Sequence, residues 1–144
     1  MKLTYVIASI MVAGGASVAF AQSPAGLWKT FDEATGKEKA IVRISESNGV
    51  FSGKIDKLFD PSKQDSKCDE CTDSRKGQSV VGMTIIRNIK KGDDYFEGGD
   101  ILDAANGKVY RARLALSSDN KKLDVKGFIG TPMFGRTQTW SRVE

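Results

Sequence analysis

The chain has 144 residues, 22 Lys plus Arg against 18 Asp plus Glu, and a net charge of +4, which reads as one domain of ordinary soluble composition. The positive charge is too spread out to argue for nucleic acid. No histidine occurs anywhere, so Ser-His-Asp and Cys-His nucleophile activation are excluded, and so is the commonest zinc and iron ligand.

Residues 1–21 carry one charge, Lys2, then an apolar run containing Val6-Ile7-Ala8 and Ile10-Met11-Val12-Ala13, and end in Ala19-Phe20-Ala21. This is the layout of a secretory signal peptide. A membrane anchor is the competing reading, but the run is short and Gly14-Gly15 breaks it. Gln22 rather than Cys follows the expected cut, which argues against a lipid-anchored protein. The expectation is a mature domain of residues 22–144 in the bacterial periplasm or outside the cell, not membrane-spanning, in an oxidising compartment.

From residue 26 the chain is punctuated like an all-β protein. Strands are expected over 26–32, 38–46, 50–58, 80–90, 94–102, 108–116, 122–129 and 136–143. Thr35-Gly36, Asn48-Gly49, Lys91-Gly92-Asp93, Asn106-Gly107 and Ser118-Asp119-Asn120 are the turns between them. Asn48-Gly49 is the strongest two-residue hairpin signal, and Asn106-Gly107 is a second hairpin signal. Residues 80–90 are nearly continuously apolar, which suggests burial on both faces. Gly98-Gly99 suggests a bulge or sharp bend. Residues 59–79 hold Pro61, many charges and both cysteines, and form the one long loop, expected to act as a lid. Eight hairpin-linked strands predict an all-β, antiparallel up-and-down barrel that closes on itself, with an eight-stranded sandwich as the competitor.

Gly26-Leu27-Trp28 resembles the Gly-x-Trp signature that opens lipocalins and related calycin barrels. That resemblance implies that Trp28 closes one barrel end beneath an arginine of the last strand, Arg142 where such a residue is expected, with Arg136 a second candidate, a cation stacked on an aromatic face. More of the chain carries a second resemblance. Gly26-Leu27-Trp28, Cys68 with Cys71, Gly82-Met83, Gly98-Gly99-Asp100-Ile101-Leu102-Asp103 with Gly107-Lys108-Val109-Tyr110, and Gly135-Arg136-Thr137-Gln138-Thr139-Trp140 are similar to domain-of-unknown-function family 2147, small exported bacterial proteins. It implies an exported, lipocalin-like barrel and transfers no catalytic residue.

Cys68-Asp69-Glu70-Cys71 reads as a disulfide tying the long loop. A thiol–disulfide catalyst or a metal site with Asp65, Asp69, Glu70 or Asp73 are the alternatives, the first lacking a helix after Cys68 and the second a complete ligand set. Asp100 and Asp103 read as turn chemistry rather than an acid–base pair, and Arg111 and Arg113 as a solvated face. Phe51, Met83, Ile85, Tyr95, Phe96, Tyr110, Phe128, Met133 and Phe134 are the candidates to line an apolar cavity and its mouth, or an ordinary filled core. No catalytic residue, cofactor or metal is expected. The functional expectation is an exported carrier of a small apolar or amphipathic molecule. A filled barrel serving as an interaction module for an envelope protein is the alternative.

Overall fold

The computed structural model describes residues 22–143, and the expected leader lies outside them. Eight strands form a closed antiparallel barrel in which each strand pairs with the next and the last returns to the first. They are β1 Gly26–Phe31, β2 Glu38–Ser47, β3 Val50–Leu58, β4 Thr84–Lys91, β5 Phe96–Leu102, β6 Val109–Leu116, β7 Lys122–Phe128 and β8 Arg136–Arg142. Asn48 and Gly49 take φ of 52° and 80°, the pair of left-handed residues a tight twisted hairpin needs. The Gly98-Gly99 bulge is also present, as a register shift of β5 against β6 between Glu97 and Gly99.

The meander gives the barrel two unlike ends. The β2–β3, β4–β5 and β6–β7 turns share one end with the start of β1 and the finish of β8. The β1–β2, β3–β4, β5–β6 and β7–β8 connections share the other. Inside, Trp28, Val42, Ile44, Ile86, Ile89, Leu114, Leu123 and Trp140 are each 2% exposed or less. A side chain so covered borders no space that a water molecule could enter, so this part of the barrel is a packed core rather than a container.

The expected strand over 80–90 starts only at Thr84. The apolar run is continuous because two buried surfaces follow one another. Val80 and Met83 belong to the end of the long loop, where Gly82 N–H donates to Ile55 and Ile55 N–H to Met83. Within β4, Asn88 at φ 59° makes a bulge, which returns Ile89 to the side already taken by Ile86; both are completely buried.

The segment expected to be a lid, extended here to residues 59–83, is built as a fixed strap. It is internally bonded from Cys68 N–H to Gln78 and from Val80 N–H to Ser66. Its cysteines form a disulfide and are buried in the same cluster as Leu102. The alternation from Ile101 turns Leu102 to the outside of the barrel, so the strap extends the core over the outer wall.

A sealed base and an open seam

The base is closed by residues from three parts of the chain. Arg142 lies 4.3 Å over the Trp28 ring. Its Nε donates to the Asn120 carbonyl at 2.7 Å, Nη1 to Ala25 at 2.8 Å, and Nη2 to Ser23 at 2.8 Å and to Asn120 Oδ1 at 3.1 Å. Trp28 Nε1 donates to the Pro24 carbonyl at 2.8 Å. Gly26 is required here: a Cβ would sit 2.5 Å from Arg142 Nη1, and its φ is 134°. Burial pulls the Arg142 pKa below its ordinary value, but guanidinium titrates so high that it keeps its charge. Of the two candidate arginines, Arg142 does this work, because its Cα pairs with that of Trp28. Arg136 stands at the opposite end.

There the barrel is least complete. β1 and β8 pair at only two positions, Trp28 with Arg142 and Lys29 with Ser141. Beyond them a groove of about 410 Å³ opens between the strands, lined by Phe31, Asp32, Glu33 and residues 136–139. Val143 N–H bonds to the Leu27 carbonyl, so alternation directs the backbone groups of Phe31, Thr137 and Thr139 toward the groove. Side chains span it. Glu33 receives Gln138 Nε2 at 2.9 Å and pairs with Arg136 at 3.1 Å. Trp140 Nε1 donates to Gln138 Oε1 at 3.2 Å, which couples the groove to the core indole. Period-two alternation along the last strand puts Arg136, Gln138, Trp140 and Arg142 on one face, so the signal for Gln138 was present in the sequence. Glu33, in the β1–β2 turn, had none.

The nine apolar candidates do not gather at one place. Phe51 and Phe96 pack edge to face, centroids 5.4 Å apart, at the sealed end. Tyr95 is outside, beneath the Arg113 guanidinium at 4.3 Å. Met83 and Ile85 are buried where the strap enters β4. Tyr110 is half-buried near the open end, its Cβ within reach of the inner face at Gly127. Phe128 pairs in register with the exposed Arg111 and is buried against the β7–β8 loop. Met133 and Phe134 project from that loop into solvent.

The disulfide occupies the thiols that a metal site would have needed, and no group of three His, Cys, Asp or Glu among the described residues is placed to hold an ion. Asp103 Oδ1 caps Ala105 N–H at 2.9 Å, and Asp100 pairs with Arg87 on the outer wall at 3.1 Å, so these carboxylates do turn and surface work. Asp73 is held most firmly. The Arg75 side chain and backbone N–H donate to it and lower its pKa from 3.8 to about 2, while Arg75 Nη1 reaches the Thr84 carbonyl at 3.0 Å. A carboxyl depressed on folding adds stability above its unfolded value and loses it as pH falls through its folded value. The strap contact is therefore complete above pH 3.8 and lost as pH falls toward about 2. Following the Arg75 Nε–H resonance by NMR checks this. A midpoint at the ordinary Asp value would refute the contact.

Residues 26–142 match the family described as "Uncharacterized protein conserved in bacteria (DUF2147)". The chain belongs to this family. No curated protein matches. Among solved structures, protein HP1028 from the human pathogen Helicobacter pylori, described as belonging to the lipocalin family, is similar at 24% identity and a TM-score of 0.73, over 85% of this chain and 84% of that one. The DUF2147 chain thus shares the lipocalin-like barrel, and at this identity the likeness extends to the fold alone.

Proposed function

We propose that this DUF2147 protein is an exported binding protein that takes a small amphipathic molecule at the open end, along the β1–β8 seam. One observation carries this reading. The barrel depth is filled, whereas the seam leaves a groove of about 410 Å³ bordered by Phe31, Arg136 and Gln138. Arg136 and the free backbone groups of Thr137 and Thr139 suit the polar head of such a ligand, and Phe31 with the half-buried Tyr110 suits its apolar part. Binding would replace the Glu33 bridge, which is exposed enough to be exchanged at little cost.

The hydrogen bond from Trp140 to Gln138 supplies the readout. Titrating a Trp28→Phe variant with a panel of fatty acids and lysolipids should give a saturable change in the emission of Trp140. The added substitution Arg136→Ala should weaken binding by about tenfold, the worth of one charge-assisted contact. A flat response across the panel in the wild-type chain would overturn the reading. The alternative, a filled barrel that serves as an interaction module, would use a different feature, the apolar side chains exposed on the β7–β8 loop, whose area suits only a weak protein contact.

A further inference from the structure

Five large apolar side chains are exposed among the described residues, and four of them share one corner of the open end: Val109 at 41%, Ile129 at 71%, Met133 at 83% and Phe134 at 80%. Val109 begins β6, and continuing the β6–β7 ladder past Arg111 and Phe128 brings it opposite Gly130. The loop that carries the other three is a folded turn. Phe134 N–H donates to Thr131 and Gly135 N–H to Pro132, both at 3.2 Å. Gly135 lies so close to the wall that a Cβ there would meet Phe128 Cβ at 2.9 Å and Lys126 Cε at 2.8 Å. The exposed side chains are therefore held out by a braced turn.

Charge is sorted around this corner. Residues 104–118 and 125–143 contain no acidic residue, yet at this end they carry Lys108, Arg111, Lys126 and Arg136. Arg111 stands beside Phe128 in register, Lys126 touches the base of the loop, and Arg136 follows it directly. The acidic residues of the open end, Asp32, Glu33, Asp60, Asp65, Asp69, Glu70, Asp73 and Asp103, lie on the other connections. Asp100 faces Arg111 across the β5–β6 ladder but is paired with Arg87, and Glu33 is bound by Arg136 and Gln138.

We propose that the β7–β8 corner docks on an anionic lipid bilayer, with Ile129, Met133 and Phe134 entering the interface and Arg111, Lys126 and Arg136 against the headgroups. An apolar tip with a basic collar fits a bilayer surface. A stable protein interface needs about 800 Å² per partner, roughly twice what four projecting side chains supply. The acidic connections on either side and the acidic strap opposite make the barrel approach by this corner rather than by its whole rim. Docking here would bring the neighbouring seam to the surface, but the proposal stands without a ligand.

The test is co-sedimentation of the chain from Gln22 onward, which holds all eight strands, with phosphatidylcholine vesicles and with phosphatidylcholine–phosphatidylglycerol vesicles. Binding should favour the anionic vesicles and weaken as salt rises. Met133→Ser with Phe134→Ser should reduce it by at least about tenfold, with melting unchanged because both side chains are exposed. Arg111→Gln with Lys126→Gln should remove the preference for phosphatidylglycerol. Equal binding by the wild type and the double serine variant, or no binding to either vesicle, overturns the proposal. So does self-association that the serine variant abolishes without any effect of vesicles, which would assign the tip to a second copy of the chain.

Discussion

Replacing Arg142 by alanine is expected to lower the stability of the barrel by about 3 kcal/mol. The guanidinium joins Ser23, Ala25 and Asn120, residues 119, 117 and 22 positions away in sequence, so no local element can replace it. Its removal strands the carbonyls of Ser23 and Ala25 in a half-buried site and takes the cation from the Trp28 face. A charge-assisted bond is worth about 1.5–3 kcal/mol when buried, and because water can replace much of each of the four bonds at this partly exposed rim, the total stays at about 3 kcal/mol, below their simple sum. β1 and β8 pair at only two positions, so loosening this clamp also frees two strand edges, and the variant should associate on concentration. Arg142→Lys should recover less than half, because an ammonium cannot reach separate acceptors in one plane or stack on indole as guanidinium does. Urea unfolding followed by circular dichroism measures the loss, and a double-mutant cycle with Trp28→Phe should give a coupling of about 1 kcal/mol. A midpoint within error of the wild type would mean that the base is held by the β1–β8 ladder alone.

The base was legible because its two partners sit at the two ends of the chain, and a meander that closes must bring its first and last strands together. The choice between Arg136 and Arg142 was also within reach. Trp28 lies near the start of β1, so its antiparallel partner must lie near the finish of β8. Topology likewise separates the apolar candidates. Alternate turns of a meander fall at opposite ends, which places Phe51 and Phe96 far from Met133 and Phe134 before any coordinates are seen. Composition alone cannot make that distinction, which is why nine side chains suited to one cavity proved to serve a core, an outer wall, a turn and a tip.

Other features depended on lengths that no local pattern encodes. β1 runs beside β8 for only two paired positions, and nothing in the local sequence of either strand marks where that pairing stops. The start of β4 was misplaced because hydrophobicity reports burial without saying what covers the residue. Val80 and Met83 are covered within the strap and Ile86 by the barrel, and the sequence writes both as one run.

The strap leads to the second large effect, at Gly107. This residue has φ of 74°, and a Cβ there would fall on the carbonyl of Glu70, within the Cys68–Cys71 turn. The obstacles, the Glu70 carbonyl and Cys71 N, are backbone, and neither can turn aside as a side chain would. Gly107→Ala should therefore cost about 2–4 kcal/mol, from the left-handed conformation and from displacement of the strap together. Displacement has a chemical signature. Cys68 and Cys71 are 0% and 2% exposed, and Cys68 Sγ lies 3.6 Å from the Ala104 carbonyl, so the disulfide is shielded by the hairpin that Gly107 completes. In the alanine variant, reduction by dithiothreitol should become at least about tenfold faster, because thiol exchange requires access to the sulfur atoms. Gly36→Ala is the control. It has nearly the same φ, 72°, and nothing within 4 Å of its Cβ, so it should lose about 1 kcal/mol and leave the reduction rate unchanged. If both variants lose the same stability and are reduced equally slowly, the hairpin is not what holds the strap, and the outer wall over Leu102 must be covered by other contacts.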